Sequence, residues 1–172
     1  MPAVRYVDDL FGIIFKRDLD KFRVMLLELI TELGFTLEDD KTPIPQEKQV
    51  ILGIEVEIKT STSHGDRRAH VHAKIDPQKA EFWTKQIKEI LQQNKITARD
   101  AEKLAGRLNF AASSIAGQSG SARINELYKV AFGRTTGKPI NHRMKDDLHW
   151  WLRFLMSGQC LKFRILVPKK KR

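Results

Sequence analysis

The apolar residues in the first third of the chain form strand-like runs on either side of a helix-like stretch. The runs Ala3–Tyr6 and Leu10–Phe15 flank the short segment Val7-Asp8-Asp9, which predicts a tight hairpin with carboxylates at its tip. Because the second run is apolar throughout, we expect both strands to be central. From about Asp18 to Leu33 the apolar residues follow helical spacing, and Gly34 stands where a left-handed helix stop is favoured.

A second hairpin is predicted after the chain-breaking segment Thr42-Pro43-Ile44-Pro45. Residues 49–58 form a β-like run, and small and apolar residues alternate again after a polar turn. We therefore expect 50–58 to pair with 68–74. The period then changes at Asp76-Pro77, a favourable N-cap and first-turn pair for a helix. A boundary near residue 75 is therefore predicted.

The rest of the chain has helical periodicity. Four helices are expected, over 76–93, 97–117, 121–132 and 141–156. Trp83 and Trp151 fall on their apolar faces and are expected in the core rather than on bases. The predicted class is α+β, with two β hairpins and one helix in residues 1–75, a helical bundle in 76–158 and a basic tail in 159–172.

Charge is distributed unevenly along the chain, whose formal net charge is +10. Residues 1–60 hold 8 Lys and Arg against 12 Asp and Glu, whereas residues 61–172 hold 23 against 9. A surplus of cations attracts phosphates, so nucleic acid is the favoured partner and a membrane is not expected.

No apolar run approaches the length of a membrane span, and we expect an intracellular protein. Cys160 is the only cysteine, which excludes an intramolecular disulfide.

The adjacent carboxylates Asp8 and Asp9 are candidates for chemistry. Their mutual repulsion between two apolar strands is unfavourable, and a divalent cation such as Mg²⁺, which prefers oxygen ligands, would relieve it. One or two Asp residues on a strand turn suit phosphoryl transfer. Taken as a bare pair, the two residues are more typical of an ordinary solvated turn than of a metal site.

The order of several motifs resembles reverse transcriptases. Tyr6-Val7-Asp8-Asp9-Leu10 is similar to the Tyr-x-Asp-Asp signature of that family, and Leu33-Gly34-Phe35, Lys41 and the run 50–55 are similar to the segments that follow it. Further segments resemble the thumb and connection of retrotransposon enzymes, especially the tyrosine-recombinase type. These segments are Asp76–Lys79, Lys103–Ala111 and Asp147–Trp151. The resemblance covers residue 3 to about 156.

The resemblance implies a truncated palm followed by a helical thumb and connection. In that interpretation Asp8 and Asp9 are the catalytic, metal-binding residues for Mg²⁺ or Mn²⁺, and the activity is template-directed nucleotidyl transfer by an RNA-directed DNA polymerase. Tyr6 would pack beneath the primer terminus, and Leu52-Gly53 would belong to the primer-holding strand.

The sequence departs from the family in what precedes the motif. Reverse transcriptases have an upstream catalytic Asp and a fingers region, whereas only Met1 to Arg5 stand before the signature here. We also expect no ribonuclease H domain after Gly158. We therefore expect no polymerisation by the chain alone, and a separate fingers and palm half as a partner. The alternatives are a non-catalytic nucleic-acid-binding remnant or domesticated retroelement module, and a structural protein of a ribonucleoprotein.

Basic residues of the helical part are the other functional candidates. A thumb would direct several of them at an RNA–DNA hybrid or a duplex, although each alone is as typical of a solvated helix face. The candidates are Lys85, Lys88, Lys103, Arg107 and Arg123. The terminal cluster Lys169, Lys170, Lys171 and Arg172 resembles a nuclear-import signal and equally suits phosphate binding. Nuclear localisation is expected, with the cytoplasm left open.

Overall fold

The computed structural model describes residues 3–6, 9–36, 45–63, 66–133 and 139–165. Among these, side chains are described for 12–36, 45–60, 69–133 and 139–164. The chain divides into two compact units, Met1–Pro45 and Gln46–Arg172. The elements are of mixed α and β type, which confirms the predicted α+β class at that level.

The first unit begins with the predicted hairpin. Strands β1 (Ala3–Tyr6) and β2 (Asp9–Gly12) are antiparallel, and Tyr6 is paired with Asp9. The expected extension of β2 to Phe15 is wrong: the strand ends at Gly12, a residue that weakens strands because it has no side chain to pack. Within the residues that the structure describes, β1 and β2 pair only with each other, so the expectation of central strands is not met either.

The helix predicted over 18–33 is present as α1 (Leu19–Glu32), preceded by a 3₁₀ turn over Lys16–Asp18. Its C-terminus is closed by two backbone hydrogen bonds: the Phe35 N–H donates to the Ile30 carbonyl at 3.1 Å and the Gly34 N–H to the Thr31 carbonyl at 2.9 Å. This pair of bonds is the Schellman motif, which requires a left-handed residue. Gly34 supplies that conformation with φ 79°.

The second unit contains a four-stranded antiparallel sheet in the order β3-β4-β5-β6. Its strands are β3 (Lys48–Ile51), β4 (Ile54–Ser63), β5 (Asp66–Ile75) and β6 (Leu161–Ile165). The predicted pairing of the second hairpin is confirmed, with Ile58 opposite Val71. Two features were missed by the sequence analysis: a turn at residues 52–53 splits the first strand in two, and part of the expected tail forms β6.

The helices of the second unit follow the sheet. They are α2 (Pro77–Gln93), α3 (Ala98–Ala111), a π-helical turn (Ala112–Ala116), α4 (Gly117–Ala122), α5 (Asn125–Phe132) and α6 (His142–Met156). The helix predicted over 121–132 is interrupted: its first two residues belong to α4, and α5 begins only at Asn125. The chain leaves helical geometry between α4 and α5, where the Arg123 carbonyl accepts a hydrogen bond from the Trp151 indole at 3.1 Å.

Three of these helices begin at side-chain caps. The Asp76 carboxylate accepts from the Gln78 N–H at 3.4 Å, the Thr97 hydroxyl from the Asp100 N–H at 3.1 Å, and the Asn141 side chain from the Met144 N–H at 2.8 Å. Each cap satisfies a backbone donor that would otherwise lack a partner at the helix start. The local sequence therefore fixes where these helices begin.

One hydrophobic core holds the second unit together. Helix α3 packs on α5, α2 packs on α6, and Ile75 at the end of β5 is buried among the helical residues. The largest fully buried side chains are Trp151, Ile87, Leu104, Leu108, Ile124, Leu127, Met144 and Leu148. The expected core positions of Trp83 and Trp151 are confirmed, with 5% and 0% of their surface exposed. Because sheet and helices share this core, the compact units divide after Pro45, whereas the sequence pattern placed a boundary near residue 75.

Candidate nucleic-acid interface

The Asp-Asp hairpin supplies the first candidate site. The pairing of Tyr6 with Asp9 leaves two residues, Val7 and Asp8, to connect the strands. Asp8 lies outside the described residues, as do the side chains of Tyr6 and Asp9. The donor set fits a magnesium ion in its chemistry, because two carboxylates provide the hard oxygen ligands that this ion prefers.

Leu52 and Gly53 occupy a two-residue turn, and the expectation that they belong to a strand is wrong. Both have positive φ, 51° and 83°, which is the geometry of the tight turn that joins twisted antiparallel strands. The Gly53 carbonyl accepts a hydrogen bond from the Asp76 N–H at 3.1 Å. A side chain at Gly53 would collide with the ammonium group of Lys79 on α2. The turn is therefore held against the start of the helical bundle.

A long groove runs between α2, α3 and α5 in the second unit, with a volume of about 830 Å³. We call it the aromatic groove. It is lined by four cations, four aromatic residues, one glycine and one glutamate. These residues are Lys79, Arg99, Lys103 and Arg107; Trp83, Phe110, Tyr128 and Phe132; Gly106; and Glu102. Cations outnumber the one carboxylate, so the groove is electropositive.

The α3 wall of the aromatic groove is a helical stripe. Arg99, Lys103 and Arg107 follow one another at four-residue spacing, and residues four apart lie on the same face of a helix. Gly106 stands within the stripe, and a methyl group added there would meet nothing within 4 Å. The wall is thus cationic along its length and open beside Arg107, at Gly106.

Two aromatic pairs line the remainder of the aromatic groove. Trp83 and Phe110 meet edge to face with ring centroids 6.4 Å apart, and the Lys79 ammonium lies 5.4 Å from the Phe110 centroid. Tyr128 and Phe132 are stacked, with centroids 5.9 Å apart and ring planes at 9°. The Phe110 contact joins Lys79 to the groove, so the Leu52-Gly53 turn borders it.

Arg107 is held in place by two neighbours on α2. One of its guanidinium nitrogens donates to the Gln86 side-chain oxygen at 2.6 Å, and its guanidinium carbon lies 5.0 Å from the Phe82 ring centroid. The side chain is half-buried, whereas Lys103 one turn earlier is exposed. The guanidinium is therefore pre-positioned, and the hydrogen-bond donors not used by Gln86 remain for a ligand.

The structure separates the other basic residues predicted from the sequence. Lys85 and Lys88 are exposed on the side of α2 that faces away from buried Trp83 and Ile87, and they do not line the aromatic groove. Arg123 forms a 3.0 Å ion pair with the mostly buried Asp147 carboxylate on α6. The charge of Arg123 is thereby compensated, and its main role is to hold the α4–α5 connection against α6.

Two buried carboxylates balance other cations of the second unit. Burial alone would raise the pKa of Glu55, but hydrogen bonds and charges from Lys74 and Lys48 outweigh it and hold the pKa below its ordinary value. A hydrogen bond from Asn141, together with Lys129, lowers the pKa of Glu126 against the opposing effect of burial. These lysines are therefore committed within the protein, which leaves the cations of the aromatic groove as the freer set.

Lys103 and Arg107 were predicted from the sequence as nucleic-acid-binding residues. Their neighbours in the aromatic groove, Lys79, Phe110, Tyr128 and Phe132, were not. The stripe on α3 was visible in principle, since Arg99, Lys103, Arg107 and Phe110 recur at spacings of three and four. The partners on α2 and α5 were not, because their proximity depends on how the three helices pack. Only a tertiary structure brings the two aromatic pairs to one groove.

The described side chains include no group of three or more His, Cys, Asp or Glu arranged to hold a metal ion. The side chains of Asp8 and Asp9 are not among those described. No helix within the described ranges is both long and apolar enough to cross a membrane. The basic cluster Lys169–Arg172 lies outside the described residues.

Comparison with known proteins adds no relative. No protein-family model matches the sequence, and neither a curated protein nor a solved structure matches it. The function is therefore argued from the residues and their geometry.

Proposed function

We propose that this chain is the palm and thumb portion of a reverse transcriptase-like enzyme, and that its helical unit holds an RNA–DNA hybrid or a DNA duplex. The observation that carries the proposal is the stripe of Arg99, Lys103 and Arg107 on α3, faced by Lys79 across the aromatic groove. The order of motifs from Tyr6 to Trp151 supports the enzyme class, and the stripe supports the nucleic-acid partner.

The spacing of the stripe suits a polyanion. Four residues of α-helix rise roughly 6 Å, so Arg99, Lys103 and Arg107 present cations at regular intervals over roughly 12 Å. Regular cations neutralise successive phosphates and release their counterions, which supplies affinity without sequence preference. Such contacts position a hybrid or duplex and leave sequence to be read elsewhere.

The test is a salt titration of hybrid binding by fluorescence anisotropy. A protein that neutralises three or four phosphates loses affinity with a slope of roughly −3 in log K against log salt. Removing one contact with Lys103→Gln is expected to reduce that slope by roughly 0.9, while Lys85→Gln, an exposed lysine outside the groove, leaves it unchanged. Affinity that does not change between low and physiological salt would rule out phosphate binding.

The Asp-Asp hairpin supports the catalytic part of the proposal. Mg²⁺, or Mn²⁺, would be held by Asp8 and Asp9, and a bound divalent ion would supply charge stabilisation for nucleotidyl transfer. The supporting observation is the register of Tyr6 with Asp9, the short connection typical of such a hairpin. We expect Mg²⁺ to raise the melting temperature of the protein and the Asp8→Ala, Asp9→Ala double variant to lose that shift. An unchanged shift in the double variant would refute the metal site.

The aromatic groove also supports a second candidate function, a non-catalytic module that holds nucleic acid. Its cations lie in the second unit, whereas the carboxylate pair belongs to the first, so binding does not require the carboxylates. The magnesium-dependent rise in melting temperature separates the two, because extension is not expected from the chain alone. A rise that the double Asp variant loses supports the enzyme, and hybrid binding without such a rise supports the module.

A further inference from the structure

We propose that the aromatic groove binds an unpaired strand of nucleic acid, with bases stacked on its exposed aromatic rings and phosphates on its cationic wall. This inference rests on the proposed function, because it names which form of nucleic acid the groove of that binding surface takes.

Phe132 is an exposed aromatic ring at the edge of the aromatic groove. Its side chain is 75% exposed although it lies at the end of a helix that buries Leu127. The ring stacks on Tyr128 with the two planes nearly parallel, which orders it without covering it. A large apolar ring kept ordered and open to solvent is a platform on which another ring gains contact by stacking.

The exposed ring lies in the same groove as a row of cations. Arg99, Lys103 and Arg107 line the same groove, and Glu102 is the one carboxylate among its lining residues. Proteins that bind single strands combine a cationic groove that follows the phosphates with aromatic rings on which bases stack. Here α3 supplies the cations and α5 supplies the exposed ring, and the two helices pack on each other.

The exposed ring favours an unpaired strand over a duplex. In the interior of a duplex each base is covered on both faces by its neighbours, so its ring face is not available to an aromatic side chain. Phosphates are available in both forms and do not discriminate. A duplex can therefore reach the cations along the wall of the groove, but its covered bases cannot stack on the rings. Stacking on Phe132 therefore requires an unpaired base.

The experiment compares three labelled probes by fluorescence anisotropy with the full chain: an oligo-dT strand, a blunt RNA–DNA hybrid, and a synthetic acidic peptide of poly-Glu. Phe132→Ala removes the platform, and Phe163→Ala is the matched control because Phe163 is also exposed, at 54%, but lies on β6. Melting temperatures confirm that both variants fold; if Phe132→Ala does not, Lys103→Gln is tested with the same probes.

Removal of the stacking platform is expected to weaken oligo-dT binding roughly tenfold, in line with the loss of one stacked base, while hybrid binding changes less than about twofold. Phe163→Ala leaves both unchanged. If Phe132→Ala weakened binding of the blunt hybrid as much as binding of oligo-dT, the preference for an unpaired strand would be overturned and the proposed function would stand. Hybrid binding without oligo-dT binding would have the same meaning. Acidic-peptide binding with the same sensitivity to Phe132→Ala would assign the groove to a protein segment. Binding of neither nucleic acid would overturn the proposed function as well.

Discussion

Helices α1 and α3 have the same length, 14 residues, and both show apolar residues at helical spacing, yet their surroundings differ completely. Helix α3 buries Ala101, Leu104 and Leu108 so that none of their surface remains exposed. Helix α1 has no buried residue, and roughly half or more of Met25, Leu29 and Leu33 is exposed. Periodicity predicts that a helix has an apolar face, but it does not tell whether another element covers that face.

This difference has an energetic consequence. Most helical stability in proteins comes from packing an amphipathic face rather than from the intrinsic preference for helix. Every buried hydrophobic side chain among those described lies between Ile75 and Leu155, in the second unit. Stability is therefore concentrated there, and the aromatic groove, which α3 helps to line, belongs to the more stable part of the molecule.

A pair of leucine truncations gives the largest expected difference in stability between α3 and α1. Leu108→Ala in α3 removes a fully buried side chain and is expected to lower the free energy of unfolding by about 2–5 kcal/mol. Leu29→Ala in α1, where 48% of the side chain is exposed, is expected to lower it by less than about 1 kcal/mol. Urea unfolding followed by circular dichroism measures both. Equal losses would mean that α1 is packed as tightly as α3.

A smaller effect is expected at Glu126, which joins α5 to the start of α6. Its carboxylate accepts hydrogen bonds from Asn141 at 2.8 Å and Lys129 at 2.6 Å, and Asn141 also caps α6. Glu126→Gln weakens a charged pair and is expected to destabilise the second unit by about 1–3 kcal/mol at neutral pH. The measurement is again urea unfolding, with Glu81→Gln on the exposed surface of α2 as the control.

The Glu126 contribution also has a predictable pH dependence. Because its pKa is lowered in the folded protein, its stabilisation is fully present above the ordinary value of 4.5 and is lost as the pH falls through the folded value. The difference between wild type and Glu126→Gln should therefore shrink below about pH 4.5. A difference that grows on acidification would contradict the assigned hydrogen bonds.

The smallest effect is expected at the β3–β4 turn. Leu52 has φ 51°, a left-handed conformation that is unfavourable for leucine and well tolerated by asparagine. Leu52→Asn gives the Asn-Gly sequence preferred in this turn and is expected to stabilise the protein by about 0.5–1 kcal/mol. Thermal unfolding measures it. A loss of stability would indicate that Leu52, 43% exposed, makes contacts more valuable than the relief of strain.

Local sequence was sufficient for much of the fold. Helix α2, for example, begins at Asp76, the cap that the sequence predicts. The Leu52-Gly53 turn was missed because leucine is not a turn residue. Strand β6 was missed although Leu161, Phe163 and Ile165 alternate with cations, since the neighbouring charges made the segment resemble a tail. That strand exists because β5 offers it a partner far away in the sequence.

The candidate site was less predictable than the fold. Charge composition indicated a polyanionic partner, but it treated Lys85, Lys103 and Arg123 alike. The structure distinguishes them by their partners: Lys85 faces away from the groove, Lys103 lines it, and Arg123 is paired with Asp147. Side-chain environment of this kind depends on helix packing, and no local pattern contains it.

The most direct test of the central claim is hybrid binding by two charge-matched double variants. Arg99→Gln with Lys103→Gln removes two exposed cations from the aromatic groove, and Lys85→Gln with Lys88→Gln removes two exposed cations from the outer face of α2. Both lower the net charge by the same amount, so a uniform electrostatic attraction would weaken binding equally. We predict that the groove variant loses roughly tenfold or more in affinity at low salt and that the outer variant changes little. Equal losses, or a greater loss in the outer variant, would contradict the assignment of the aromatic groove as the nucleic-acid interface.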